Sequence, residues 1–173
     1  MPIGGQWQVK YTTETGEKVS LQSRNVITTV GAYALKAMLP FVKAGDMAPI
    51  SALRYAPIVQ VSVGLSNAHG IEHKAFGGLI PTCEQQQLLG ILFPSACFSQ
   101  RCPAEGALFS FFLGGMKHAE MLGKTNEELC ELVTKALSKM LGFPQDVEPD
   151  MVQIFRHEHA IPQYELSSGA RFA

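Results

Sequence analysis

Charged residues are scarce in this sequence, and neither sign is in excess. The 173 residues include 14 Lys and Arg against 15 Asp and Glu, so charged residues make up 17% and the net charge is −1. An average soluble domain has about 25% charged residues. Without a surplus of positive charge, the sequence predicts no nucleic-acid partner. The apolar share of 46% excludes a chain that is disordered throughout.

The sequence also lacks an unbroken apolar run of the roughly 20 residues that a transmembrane helix needs. Residues 1–6 have neither the basic nor the apolar region of a signal peptide, which predicts a cytoplasmic setting. A length of 173 residues predicts a single domain with enough chain to bury a core.

Cysteine pairs at metal-binding or redox spacing are missing. The four cysteines, none of them in a Cys-x-x-Cys pair, are Cys83, Cys97, Cys102 and Cys130. A chain of this size does not need disulfides, so we interpret them as reduced thiols, most of them in the core.

Two histidine pairs have a spacing that zinc sites use. His69 and His73 are four residues apart, and His157 and His159 would share one face of a strand. Neither pair has a clear third ligand at the spacing of a zinc site, and two-residue matches are weak evidence. We therefore predict no metal site, and the sequence leaves the role of these histidines open.

Signatures of polar catalysis are missing as well. The sequence has no GxGxxG, no GxxxxGK[ST] phosphate loop, no GxSxG and no HExxH. Its carboxylate pairs are Glu127/Glu128, in the first turn of a predicted helix, and Glu148/Asp150. Because solvated charges are far commoner than tuned ones, we assign no catalytic residue to the chain.

Short elements of both types follow each other along the chain. Alternation predicts a β-hairpin from 7–13 and 18–22, and the β-branched run 25–30 predicts a strand buried on both faces. A short helix over 32–39 should end at Pro40, and a loop with Gly45 and Pro49 should follow it.

Further strands are predicted over 57–65, 88–93, 107–113 and 151–155. The clearest element is a helix that begins with the capping box Thr125-x-x-Glu128 and ends at Gly142. Together these elements predict an α+β fold, in which a largely antiparallel mixed sheet is covered by helices on one face.

Apolar runs that contain glycine are the remaining distinctive feature. They occupy 76–79, 89–93 and 109–115. Glycines beside large apolar side chains let a flat ligand approach the backbone closely. The same pattern also fits core strands with turn glycines, and the pattern alone does not decide between the two.

The same runs resemble the flavin-dependent (oxygen-dependent) protoporphyrinogen oxidase family of the amine-oxidase-like flavoprotein superfamily. That family has a Gly-Phe-Gly-x-Leu-x-Pro stretch, then Leu-Gly-x-x-Phe-x-Ser, a Phe-Pro-x-Arg-x-Pro turn and a strand ending in Gly-Gly. The matching positions are 75–81, 89–95, Phe98, Arg101, Pro103 and 112–115. Residues 160–164 match a later segment of the family's sequence. Residues 26–29 resemble a strand of the wider superfamily. After that strand the superfamily usually has Pro-Ala, where this chain has Val30-Gly31.

The resemblance implies a six-electron oxidation of protoporphyrinogen IX to protoporphyrin IX in haem biosynthesis, with FAD as hydride acceptor and oxygen as final oxidant. By motif, Leu79, Leu92 and Phe112 are similar to the side chains that sandwich the macrocycle. Gly77 is similar to the backbone position that approaches a pyrrole. Such a site needs apolar walls more than acid–base groups, because the flavin supplies the chemistry. An apolar site of this kind agrees with the absence of the sequence motifs of acid–base and nucleophilic catalysis.

The family's FAD-binding segments have no match here, so we expect residues 1–173 to be its substrate-binding domain, inactive alone. Residues 1–40 would adjoin the missing flavin domain, and 41–173 would form the substrate-binding core. Neither Arg54 nor Arg101 matches the family's propionate-binding arginine. The resemblance also implies peripheral membrane contact of the intact enzyme.

Three alternatives to a protoporphyrinogen oxidase stay open. The first is a coproporphyrinogen-oxidising relative, which would differ in the basic residues around the ring edge. The second is another amine-oxidase-like flavoenzyme, which would share the strand at 26–29 but not the later runs. The third is a stand-alone, non-catalytic module that binds a hydrophobic ligand.

Overall fold

The computed structural model describes residues 1–166 and 168–172. The chain divides into two compact units. The first unit comprises residues 1–54 and the described part of 164–173, and the second unit comprises residues 55–163. These compact units meet after residue 54; the division at residue 40 rests on the family resemblance and stays a prediction. No helix in the described residues is long and apolar enough to cross a membrane.

The described residues of the first unit form a three-stranded antiparallel sheet and three helices. The strands, in sheet order, are β1 (Pro2–Ile3), β2 (Gln6–Thr12) and β3 (Lys18–Ser23). The helices are α1 (Ala32–Met38), α2 (Ala44–Ser51) and α5 (Ser168–Phe172). The predicted hairpin is confirmed by β2 and β3, which pair from Trp7↔Ser23 to Thr12↔Lys18. The Trp7 ring lies 5.6 Å from the Phe41 ring, between their centroids.

Two predictions in the first unit are wrong. Residues 25–30 form no strand, and Ile27 is 90% exposed. A β-branched run forms a strand only where another strand pairs with its backbone, and none of the described strands does so. The predicted loop at 41–56 contains helix α2, with Pro49 inside it. Burial of Met47, which is 5% exposed, stabilises this helix against the lost backbone bond of the proline.

The second unit is built on a five-stranded antiparallel sheet with the order β5-β6-β7-β4-β8. In chain order, its strands are β4 (Tyr55–Leu65), β5 (Gly77–Leu79), β6 (Leu88–Leu92), β7 (Ala107–Gly114) and β8 (Met151–Pro162). The predicted strands are confirmed, and the last continues beyond residue 155. Pro162 is the last residue of β8, and β8 is an edge strand, which is where sheets accommodate proline.

Helix α4 (Asn126–Leu141) packs into the same core as one face of this sheet. Alternate residues of the central strands, including Val61 and Phe111, are 0% exposed, as are Leu129 and Leu137 of the helix. The predicted α+β fold is confirmed. The short helix α3 (Pro94–Cys97) and 3₁₀ turns at Thr82–Glu84 and Ala119–Gly123 connect the other elements.

The ends of α4 have the predicted caps. The Glu128 backbone N–H donates to Thr125 Oγ1 at 3.2 Å, and the Thr125 N–H donates to Glu128 Oε2 at 2.8 Å. Gly142 ends the helix with a φ of 79°, a conformation in which glycine carries no Cβ penalty.

The cysteines are free, but the prediction that most of them lie in the core is wrong. Cys83 and Cys97 are exposed, and Cys102 and Cys130 are half-buried. Cys83 lies in a 3₁₀ turn and Cys97 ends a four-residue helix. Both elements are short surface connections, which bury little.

Candidate ligand-binding site

The sheet of the second unit carries two neighbouring rows of residues on the face opposite α4. Residues paired across antiparallel strands place their side chains on the same face. The first row, from β5 to β8, is Leu79, Gly90, Phe112, Gln60 and Phe155. The second row, in the same order, is Gly77, Leu92, Ser110, Ser62 and Gln153. Strand register therefore brings the four site residues predicted by motif into adjacent rows.

A cavity of about 560 Å³ lies over part of these rows: Leu79, Gly90, Phe112 and Gln60 of the first, and Gly77 and Leu92 of the second. All four motif-derived residues line it: Gly77, Leu79, Leu92 and Phe112. Ten further residues complete the lining: Ile58, Gln60, Phe76, Gly78, Leu89, Gly90, Ile91, His157, Ala160 and Ile161. The lining has no Asp, Glu, Lys or Arg, and its polar side chains are those of Gln60 and His157. This is an apolar site with two neutral hydrogen-bonding groups when the imidazole is unprotonated.

Two glycines allow strands β5 and β6 to approach closely beside the cavity. A Cβ on Gly77 would lie 2.3 Å from the Ile91 carbonyl oxygen and 2.9 Å from Leu92 Cα. A Cβ on Gly90 would lie 2.7 Å from the Gly78 carbonyl oxygen. Both contacts are with backbone, which cannot rotate away as a side chain would. The absence of side chains at these two positions therefore allows Leu92 to lie against Gly77, and Leu79 against Gly90.

Large apolar side chains are left exposed at this edge of the sheet. Leu79 is 89% exposed and Phe76 is 69% exposed, although both line the cavity. A contiguous apolar patch of this kind marks a surface that meets a ligand or another polypeptide surface.

Sequence reasoning missed Gln60 and His157 as lining residues, whereas Gly90 lies in the glycine-containing run 89–93. Gln60 lies on β4 between Ile58 and Ser62, so the period of two along that strand places it on the open face. The sequence predicts His157 on one face of a strand, but it does not show that this strand pairs with β4, where Ile58 is the register partner of His157. His159 lies two residues further, with its ring 5.7 Å from that of Tyr55.

A second cavity of about 1020 Å³ lies at another place in the second unit. One wall has His73, whose ring centroid lies 5.0 Å from that of Phe93 and 5.3 Å from that of Phe109. The Arg101 guanidinium stacks 5.6 Å over the ring of Phe98 in the same lining. Arg101 thus belongs to a different cavity from the four motif-derived residues.

The other arginine considered from the sequence, Arg54, lies in the first unit. Its Nη2 lies 2.6 Å from Glu165 Oε1 in an exposed ion pair. Histidine geometry offers no metal centre either: within the part of the chain that the structure describes, no three or more His, Cys, Asp or Glu side chains are grouped to hold an ion.

The N-terminus of helix α4 is not open to a dinucleotide. A dinucleotide cradle places a glycine-rich turn and a free helix N-terminus against the pyrophosphate. At the N-terminus of α4, Thr125 and Glu128 already occupy the backbone donors. Hydrogen bonding to the Thr125 backbone N–H, then to Lys124, holds the pKa of Glu128 below its usual range. The ionised carboxylate there would repel a phosphate.

Sequence comparison finds similarity to known proteins over nearly the whole chain. The sequence profile described as "Flavin containing amine oxidoreductase" matches residues 4–167. The chloroplastic protoporphyrinogen oxidase of Nicotiana tabacum is 31% identical over 167 residues, which cover 92% of this chain and 30% of that protein. The chain therefore spans about a third of the length of the curated relatives it matches.

Two solved structures share the fold. Cyclohexylamine oxidase from Brevibacterium oxydans IH-35A has a TM-score of 0.63 and 18% identity, with 90% of this chain and 36% of that chain covered. Reduced UDP-galactopyranose mutase has a TM-score of 0.67 and 18% identity, with 94% of this chain and 34% of that chain covered. Since an oxidase and a mutase share this architecture, the fold alone does not fix a reaction. The profile match over nearly all of the chain shows that this protein belongs to the flavin-containing amine oxidoreductase family.

Proposed function

We propose that this chain is the substrate-binding part of an FAD-dependent oxidase that acts on protoporphyrinogen IX. The observation that carries the proposal is the convergence of Gly77, Leu79, Leu92 and Phe112 on one apolar cavity. These are the positions that match the substrate-binding motif of protoporphyrinogen oxidases. The similarity to the Nicotiana tabacum enzyme over 92% of the chain supports the same assignment.

The residues of the cavity bind and orient a ring ligand. Leu79, Leu92 and Phe112 provide apolar walls that exclude water and hold the macrocycle in place. At Gly77 the missing side chain lets the ligand approach the backbone. A bound flavin would supply the hydride acceptor, and the residues of this cavity would position the substrate for it.

The flavin is proposed to be held by another part of the longer protein, because this sequence has no GxGxxG and the N-terminus of α4 is occupied by its own cap. Residues 1–40 would contact that flavin-binding part. The support is the segment 25–30, whose β-branched side chains are exposed and whose backbone pairs with none of the described strands. In this proposal the segment completes its pairing against the flavin-binding part. A cytoplasmic setting and contact with a membrane surface stay predictions from the sequence and the resemblance.

Protoporphyrinogen and coproporphyrinogen differ in charge at the ring edge. Coproporphyrinogen carries propionates where protoporphyrinogen has vinyl groups. The described lining has no Lys or Arg to pair with the added carboxylates, and in this proposal the basic residues that discriminate the two substrates lie mostly outside this chain.

The proposal is tested by comparing the 173-residue chain with the longer flavoprotein that contains it. We expect the chain to purify without yellow flavin and to show no oxidase activity. We expect the longer protein to oxidise protoporphyrinogen in the presence of FAD and oxygen. Stoichiometric flavin on the 173-residue chain would contradict the proposed division.

A stand-alone binding module is the second candidate, favoured by the absence of charged groups from the lining. It predicts that an open reading frame ends near this chain and that the purified chain binds porphyrins without oxidising them. An open reading frame that extends upstream to a GxGxxG segment would contradict the stand-alone module.

A further inference from the structure

Gln60 is a polar side chain set among apolar ones on the central part of the sheet. Its register partners are Phe112 on β7 and Phe155 on β8. Its side chain is half-buried and lines the cavity that contains Phe112. An amide at such a position loses part of its hydration, so it favours a ligand that supplies a hydrogen bond in return.

The amide of Gln60 has a defined orientation. Its Nε2 donates to Ser62 Oγ at 3.3 Å, two residues along the same strand face. Its Oε1 accepts no hydrogen bond from any described residue. The cavity therefore contains an oriented, unused acceptor amid aliphatic and aromatic walls.

We propose that Gln60 Oε1 accepts a hydrogen bond from a ring N–H of the substrate and thereby favours the reduced macrocycle over the oxidised one. The inference rests on the function proposed above. In a porphyrinogen every pyrrole nitrogen carries a hydrogen, and the saturated bridging carbons let these N–H groups tilt out of the ring plane. In the porphyrin product only half of the nitrogens carry a hydrogen, and those point to the centre of a flat ring. The acceptor thus distinguishes substrate from product, which apolar walls do not.

The test is Gln60→Leu in the FAD-loaded, full-length protein that carries this chain. Removing the acceptor while keeping the side-chain volume should lower kcat/KM for protoporphyrinogen IX about tenfold. The inhibition constant of added protoporphyrin IX should change less than about twofold, since that ligand does not use the acceptor. FAD content and Tm are measured on the same samples.

Gln153→Leu is the matched control, because Gln153 lies on the same sheet face and is not part of the cavity lining. It should leave both constants unchanged. Gln60→Glu, which keeps an acceptor oxygen, is the second variant should the leucine protein fail to fold. For Gln60→Glu, we expect the ratio of the protoporphyrin IX inhibition constant to the KM for protoporphyrinogen IX to lie within about threefold of the wild-type ratio.

The outcomes separate the two proposals. If wild type oxidises protoporphyrinogen but Gln60→Leu changes neither constant, or weakens substrate and product equally, the role of Gln60 is overturned and the proposed function stands. If FAD-loaded wild type oxidises no porphyrinogen at all, the proposed function is overturned, and the role of Gln60 with it.

Discussion

At the scale of single residues, the space that glycine leaves between the backbones of β5 and β6 decides the geometry of the cavity beside them. Gly77→Ala would place a Cβ 2.3 Å from a carbonyl oxygen, in a residue with a φ of +156°. We expect this variant to separate β5 from β6 and to weaken porphyrin binding by roughly tenfold or more. Titration of each variant with porphyrin, followed by fluorescence, measures the change in the dissociation constant. Gly78→Ala is the control, since a Cβ there meets nothing within 4 Å, and equal losses in both variants would contradict the explanation.

Phe112 and Phe155 occupy the same row on either side of Gln60, but only Phe112 belongs to the cavity lining. We expect Phe112→Ala to lower kcat/KM of the full-length flavoprotein by the equivalent of about 1–3 kcal/mol, with FAD content unchanged. Phe155→Ala should leave the kinetics near wild type. Unchanged kinetics in Phe112→Ala would remove this residue from the proposed site.

Asp150 links two segments of the second unit by a hydrogen bond that depends on pH. Its Oδ2 accepts from the Ser66 backbone N–H at 2.6 Å, and this bond holds the pKa of Asp150 below its usual range. A lowered folded-state pKa contributes stability above the unfolded pKa of about 3.9 and loses it as the pH falls through the folded value. Urea unfolding should therefore show Asp150→Ala less stable than wild type at pH 7, with the difference shrinking below about pH 4. A difference that stays constant down to pH 2.5 would contradict this.

At the scale of elements, helix α4 is determined by local sequence. The capping box, the apolar stripe and the stop at Gly142 are within one segment, and each was predictable from spacing alone. We expect Thr125→Ala to lower the free energy of unfolding by about 1 kcal/mol, because it removes the cap. Thr134→Ala, in the middle of the same helix, should change it by less than about 0.5 kcal/mol. Chemical denaturation compares the two, and equal effects would show that the cap is not responsible.

The predicted strand at 25–30 and helix α2 show where prediction from local sequence fails. A β-branched run specifies an extended chain, but a strand also needs a neighbour, which the described part of this chain does not supply. Gly45 and Pro49 lower helix propensity, yet Met47 is buried on the helix that contains them. In both cases tertiary contacts decided what intrinsic propensity could not.

At the scale of the whole molecule, apolar burial is concentrated in one unit. The continuous buried cluster lies entirely within residues 59–147, in the second unit. In the first unit, Ala32 and Met47 are the buried apolar side chains among the described residues. We expect amide hydrogen exchange to be slowest in β4, β7 and α4 and markedly faster in β2 and β3. Equal protection of both sheets would contradict this distribution of stability.

The sequence by itself determined the alternation of the central strands, the capped helix, and the glycine-containing runs that carry the family motif. These are properties of neighbouring residues, so spacing along the chain is enough to specify them. Tertiary structure alone decided that Gly77, Leu79, Leu92 and Phe112 meet at one cavity, and that Gln60 and His157 join them. Those residues lie on separate strands, and the register that aligns them depends on hydrogen bonds between segments far apart in sequence.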